Sequence, residues 1–314
     1  MNQSKKVTDG ALLLAVFIVL MLIAIFVPIT ISVLIFLLPV PFIIYTSKYD
    51  WKTSLFMFLV AILLSLLLAT LLSLPITIIA GFGGIMIGAA IYHRQTPYET
   101  WARGTLGFIG GLLFAYLFTQ YFLEINWVTE IDEMINESLQ MSKDIVEQFG
   151  LTQTDEEFNL IKEQLSYITD LIPAAIAIIS TLLAFIAQWI SYKIMNHFEN
   201  RNMKFPPFRN FKLPVALVWI YFFALLFTIF DLNPDEILFI VANNVVVLAG
   251  FLIALQGFSF IFFYAHYKSW SIAIPIICVL FTLLLPLLLL YFVRIIGIID
   301  IGFRIRDRLS KKGS

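Results

Sequence analysis

EINWVTEIDEMINESLQMSKDIVEQFGLTQTDEEFNLIKEQLSYITD, the stretch from Glu124 to Asp170, decides how the rest of the chain is read. It is the one run of more than forty residues without an apolar segment of membrane-crossing length. It carries twelve acidic residues, opposed only by Lys143 and Lys162. Five apolar segments precede it and at least three follow. Lys and Arg gather in the short loops between alternate segments, the distribution expected of a cytoplasmic face. Residues 124–170 are therefore expected outside. With Asp231, Asp235 and Glu236 the outer side takes fifteen of the twenty-one acids and only two of the twenty Lys and Arg.

Composition agrees with a membrane chain. It is 61% hydrophobic and 13% charged, with a mean hydropathy of +0.94. A net charge of −1 conceals the separation of charge by side. Cys278 is the single cysteine and lies in an apolar segment, which excludes a disulfide framework and a cysteine metal site. Lys5 and Lys6 before an apolar run resemble a signal peptide. The run ends Ile25-Phe26-Val27-Pro28 without a small-x-small cleavage site, so it reads as a retained first span.

Taken in order, spans are expected at about residues 10–27, 29–45, 53–73, 76–92 and 104–123, each near the ~20 residues that cross a bilayer. Pro39 and Pro41 interrupt the second and imply a kink. The acidic insert reads as two amphipathic helices. Val128, Ile131, Ile135, Leu139, Val146 and Phe149 form one apolar face, and Phe158, Ile161, Leu165, Ile168 and Ile172 the other. Such a hairpin either packs on itself and the span ends or forms a lid over an outward cavity. Further spans follow at about 171–195, 213–230 and 237–264. The last apolar run, 271–303, is too long for one upright span. A hairpin turning near Pro286 keeps the basic tail inside, as the charge rule favours; one long span would put it outside.

The fold expected is an all-α polytopic transmembrane helix bundle of about nine spans (8–10) with an external amphipathic helical hairpin. Its parts are a core of residues 8–196 that includes the insert 124–170, a basic cytoplasmic loop 197–212, C-terminal spans 213–303 and a basic cytoplasmic tail 304–314.

Catalytic, cofactor-binding and metal residues are not expected. His93, His197 and His266 sit near cytoplasmic span ends without ligand spacing. No G-x-S-x-G elbow is present, and nothing suggests nucleic acid as a partner. Gly84-x-x-x-Gly88 and Gly107-x-x-x-Gly111 place small residues along helix faces, where backbones can approach closely. Gln188, Asn243, Asn244 and Gln256 lie inside spans, where hydrocarbon penalises polar groups. They either bond neighbouring helices or line a cavity. Arg294 and Asp300 fall inside the last run, and Asp300 can meet Arg304 four residues on.

Two resemblances follow from particular segments. The whole chain resembles the YybS family of bacterial polytopic membrane proteins, in its six N-terminal spans with an insert before the sixth and in Pro214-Val215-Ala216-Leu217-Val218-Trp219, Ala242-Asn243-Asn244, Leu255-Gln256-Gly257 and Gly297-Ile298-Ile299-Asp300-Ile301-Gly302-Phe303-Arg304. That likeness implies a multi-pass fold and lends no activity. Residues 8–196 more distantly resemble the S components of energy-coupling-factor transporters. The cues are six spans, the glycine-rich Ile85–Tyr92 and Ala11-Leu12-Leu13-Leu14-Ala15 in span one. The resemblance implies that Ala11 and Ala15 form a smooth patch for a membrane coupling subunit.

Two functions follow as expectations: a small-molecule-binding or transport-related membrane protein, or a structural or regulatory partner protein with no ligand. A polar cavity on the outer side of the first six spans would favour the first. An enzyme is not expected. The location expected is the bacterial cell membrane, with the N-terminus cytoplasmic.

Overall fold

The computed structural model describes residues 3–149, 160–162, 164–165, 167–229 and 236–312. Among them every regular element is helical. Seven helices are long and apolar enough to cross a membrane, and two shorter apolar helices accompany them. The chain divides into two compact units, one of residues 1–169 and 176–204, the other of 170–175 and 205–314.

In the first unit, α1 (Gln3–Phe26), α4 (Trp51–Ala69), α5 (Leu74–Tyr92) and α6 (Pro97–Phe122) are the expected apolar spans. Helix α1 begins at Gln3, well ahead of the apolar run expected from about residue 10. Asp9 sits within the helix, accepting a hydrogen bond from the Tyr49 hydroxyl at 2.8 Å. Span two is broken more deeply than a kink. It forms a short α2 (Ile31–Leu34), tight turns through Ile35–Pro39, then α3 (Val40–Tyr49). Pro39 and Pro41 have no N–H to continue the ladder. Three-residue turns such as Leu37 N–H to Leu34 O, at 2.9 Å, satisfy part of the backbone instead.

Helix α5 is the axis of this unit, and its glycines explain why. A Cβ on Gly84 would lie 2.7 Å from Pro39 O, and one on Gly88 2.7 Å from Ile43 O. Gly81 admits the Phe58 ring of α4, and Gly83 the Phe108 ring of α6. From the other side, Gly107 and Gly111 of α6 press on the α5 backbone at Phe82 and Ile79. The Phe17, Phe42 and Phe58 rings run through the core and meet the exposed Phe82 ring at its edge, with successive centroids 4.9, 5.9 and 5.7 Å apart. Thr96 opens α6 with a capping box closed by Glu99.

The insert begins as expected. Asn126 caps α7 (Trp127–Gln148), which is amphipathic and carries no buried residue. Most of its expected second arm lies outside the described residues, of which 160–162 and 164–165 are helical. Then comes α8 (Ile172–Glu199).

The second unit contains α9 (Ala216–Ile229), α10 (Ile237–Tyr267), α11 (Ala273–Leu284), α12 (Pro286–Phe303) and α13 (Ile305–Lys312). The run 271–303 is two helices, separated at Leu285 (φ −125°, ψ 60°) just before Pro286. Contacts ascend together along α10 and α12. Arg294 meets Gly250, Asp300 meets Gln256, and Arg306 meets Ser259. The two helices are therefore parallel, and α11 makes the return between them. A Cβ on Gly257 would fall 2.1 Å from Val293 O and one on Gly297 2.2 Å from Ile253 O, so their backbones touch.

This contact is open to test by substitution. Gly257→Ala forces backbones apart and should cost about 1–3 kcal/mol, the usual range for overpacking. Gly302, with nothing within 4 Å of an added Cβ, is the control. Gly302→Ala should be neutral or stabilising by up to about 1 kcal/mol through helix propensity. Unfolding of the purified protein measures both, and equal effects would contradict the packing described.

Candidate functional site

A cavity of about 580 Å³ lies at the basic end of the first unit, within the volume range of small-molecule sites. A cavity was expected from the sequence on the outer side of the first six spans. The walls of the observed cavity come from the end of α5 and the following loop (Ile91, Tyr92, Arg94, Gln95, Pro97), from Tyr192 of α8, from Arg201–Lys204, and from Ser47 of α3. Arg94 takes a left-handed conformation (φ 55°) that ends α5. Asn196 fixes the 201–204 segment by exchanging hydrogen bonds with the Met203 backbone at 2.7 and 2.9 Å.

Three cations, Arg94, Arg201 and Lys204, line this space, and among the described residues no carboxylate does. Arg201 is partly neutralised from behind, its Nε 2.8 Å from Glu199 Oε2. Glu199 also meets Lys48 at 2.9 Å, linking α8 to α3. Beneath the cavity lies fully buried Gln188. Its amide donates to Pro97 O at 3.0 Å and to the Tyr192 hydroxyl at 2.8 Å. Gln188 Oε1, Ser191 Oγ and Gln95 Oε1 are buried and have no hydrogen-bond partner among the described residues. Of the three, Gln95 lines the cavity, where its unsatisfied oxygen marks a place for water or a ligand donor.

The other polar residues singled out from the sequence fall elsewhere. Asn244, half-buried on α10, accepts from Ala174 N–H at 2.8 Å and donates to Asp170 O at 2.7 Å, pinning the start of α8. Asn243 is half-buried and lines neither basic cavity. Gln256 lines a separate cavity of about 290 Å³ in the second unit. Ala11 and Ala15 are both exposed on α1, and Ala11 borders an apolar groove between α1 and α4. His93, His197 and His266 are all exposed. Among the described residues no three His, Cys, Asp or Glu are grouped to hold a metal.

One constellation was not legible in the sequence. Arg306 is 3% exposed, its Nε 2.8 Å from Asp300 Oδ2. Nη1 donates to Arg209 O at 2.7 Å, Phe211 O at 3.1 Å and Ser259 Oγ at 3.2 Å. The guanidinium lies near the Phe260 and Phe263 rings, at 5.7 and 5.4 Å from their centroids. Gln256 donates to Asp300 and accepts from Leu213 N–H. The expected Asp300–Arg304 pair is thereby corrected. The helix ends at Arg304 in a left-handed conformation (φ 48°), which turns Arg304 outward and brings Arg306 back to the carboxylate. Arg294, half-way along α12, rests against Gly250 with its Nε buried and unpartnered among the described residues. A guanidinium at that depth carries a cost of several kcal/mol.

A bundle of apolar, membrane-length helices held together by glycine contacts and buried polar bonds defines a multi-pass integral membrane protein. Residues 15–301 match the family described as "Predicted membrane protein (DUF2232)", and the chain belongs to it. It is 28% identical over 311 residues to "Uncharacterized protein YybS" of Bacillus subtilis (strain 168), an alignment covering 99% of this chain and 100% of that protein. The resemblance of the whole chain to the YybS family, expected from the sequence, is thereby shown. No solved structure matches.

Arg306→Ala leaves Asp300 buried without its cation and should cost about 3–5 kcal/mol. Replacing both by apolar residues, as Arg306→Met/Asp300→Leu, should cost less than the single change, because no charge is stranded. Thermal unfolding of the three proteins decides it.

Proposed function

We propose that this protein binds a small anionic molecule in the basic cavity of its first unit, in a transport-related role with residues 8–196 as an S-component-like core. One observation carries the reading: Arg94, Arg201 and Lys204 line a cavity of about 580 Å³ with no carboxylate in its wall among the described residues. A ligand there gains charge-assisted hydrogen bonds, about twice as strong as neutral ones. The unpartnered oxygen of Gln95 adds a preference for a ligand that also carries hydroxyl or amine donors. The positive-inside rule puts this mouth in the cytoplasm and the insert outside, in a bacterial cell membrane.

The test is thermal unfolding of the purified full-length chain against phosphorylated sugars, nucleotides and di- or tricarboxylates. At one hundred times its Kd a ligand stabilises by about 2.7 kcal/mol. At least one compound should raise Tm saturably, and Arg94→Ala/Lys204→Ala should abolish the shift. A panel without effect, or a shift untouched by those substitutions, overturns the reading.

A second reading, docking of a coupling subunit on α1, is supported by the exposure of Ala11 and Ala15. Ala11→Trp and Ala15→Trp should then leave Tm within about 1 °C of the parent, since exposed substitutions usually stay within ~0.5 kcal/mol. A fall of several degrees would assign the alanines to internal packing. The ligand-free alternative, a structural or regulatory partner protein, gains ground if the ligand panel fails and the alanine variants keep their stability.

A further inference from the structure

Arg294 lies half-way along the 18 residues of α12, at a depth where hydrocarbon penalises a charge. Its guanidinium fills a recess left by Gly250 of α10. A Cβ on Gly250 would stand 3.1 Å from Cζ, 3.2 Å from Nε and 3.4 Å from Nη2. Nε is buried without a hydrogen-bond partner, and among the described residues no hydrogen bond or ion pair holds this side chain. Arg306, just beyond the end of the same helix, is held by a carboxylate, a serine and backbone carbonyls. One guanidinium of this unit is thus completed within the chain and the other is left open. The approach to Arg294 is apolar. Tyr291 and Leu287, one and two turns ahead of it on the same side of α12, are both exposed.

An apolar face holding one unpaired cation is completed by an anion at the same depth. A second copy of this chain does not supply it. Asp300 is the only carboxylate in α9 to α12, and Arg306 holds it at 2.8 Å. In the first unit Asp9, Glu99 and Glu199 lie within two turns of the ends of their helices. A lipid phosphate stays at the membrane surface, whereas Arg294 is eight residues, about 12 Å, from the nearer end of α12. The remaining source is a carboxylate carried into the bilayer by another helix. We propose that α12 and Gly250 form a docking face for a membrane-spanning helix of a different protein, which carries one Asp or Glu near the middle of its span. Pairing with Arg294 relieves the penalty on both charges and leaves Leu287 and Tyr291 to pack against the incoming helix. The face belongs to the second unit and does not depend on the ligand reading of the first.

The test uses the full-length chain in phosphatidylcholine vesicles, with a fluorophore on Cys278, the single cysteine, exposed on α11. Acceptor-labelled synthetic helices of about 20 apolar residues carry either a central Asp or a central Leu. Energy transfer reads their association over a range of peptide-to-lipid ratios. The Asp helix should associate roughly tenfold more tightly than the Leu helix, and Arg294→Met should bring the two to the same affinity. Without peptide, Arg294→Met should also raise Tm, because an unpaired buried cation gives way to an apolar side chain. Equal association of both helices with the parent, or an Asp preference that survives Arg294→Met, overturns the proposal. So does a fall in Tm, which would assign the guanidinium to internal structure. Native mass spectrometry from an equimolar mixture with phosphatidylglycerol tests the lipid. Phosphatidylglycerol retained by the parent and lost from Arg294→Met would identify a lipid phosphate as the occupant and refute the helix.

Discussion

Direct contact between helix backbones is the constraint on which this protein rests. In hydrocarbon, lipid tails compete with every apolar side chain, so association depends on close packing and hydrogen bonds more than on release of water. Helix α5 meets this requirement on several sides at once, with glycines facing α3, α4 and α6. Even the broken second span fits the scheme. Pro39 interrupts the helix, and its carbonyl oxygen becomes the surface against which Gly84 packs. Gly257 and Gly297 repeat the device between α10 and α12.

Once backbones are close, polar side chains decide what the helix ends do. Asn244, Gln188 and Gln256 each reach a backbone group on another segment. Arg306 gathers three carbonyls, a serine and a carboxylate from stretches far apart in sequence. A buried pair of this kind is weak support for stability as such. Its geometric effect is larger here, because it holds the 209–213 segment against α10 and the end of α12. Arg294 contrasts with it, lying at span depth without a comparable set of partners among the described residues.

What the sequence made legible follows from the period and length of each signal. Apolar runs of about 20 residues located the long spans, and G-x-x-x-G spacing located the faces that touch. Pro286 marked the division of the last run. The acidic insert announced its first amphipathic helix through Val128, Ile131 and Ile135. Two things were hidden. Arg94, Arg201 and Lys204 had been informative only as markers of side, because a loop cation looks the same whether it faces solvent or a cavity. Arg306 read as one more basic residue of the tail. Its burial depends on the left-handed turn at Arg304, which a non-glycine residue does not advertise.

The short helix α11 of the second unit has a consequence for the surrounding lipid. At 1.5 Å per residue, α11 with 12 residues spans about 18 Å. The apolar helices α1, α4, α5 and α6 have 19 to 26 residues, enough to match a hydrocarbon layer of ~30 Å. Around α11 the exposed tip Leu283, Leu284, Leu285 and Leu287 leaves no polar cap to meet water. An apolar helix shorter than the hydrocarbon layer is matched by local thinning of the bilayer or by association with other helices, at fractions of a kcal/mol for each ångström of mismatch. Membrane thickness thereby acts as a mechanical load on the C-terminal hairpin, one that a thinner membrane relieves and a thicker one increases.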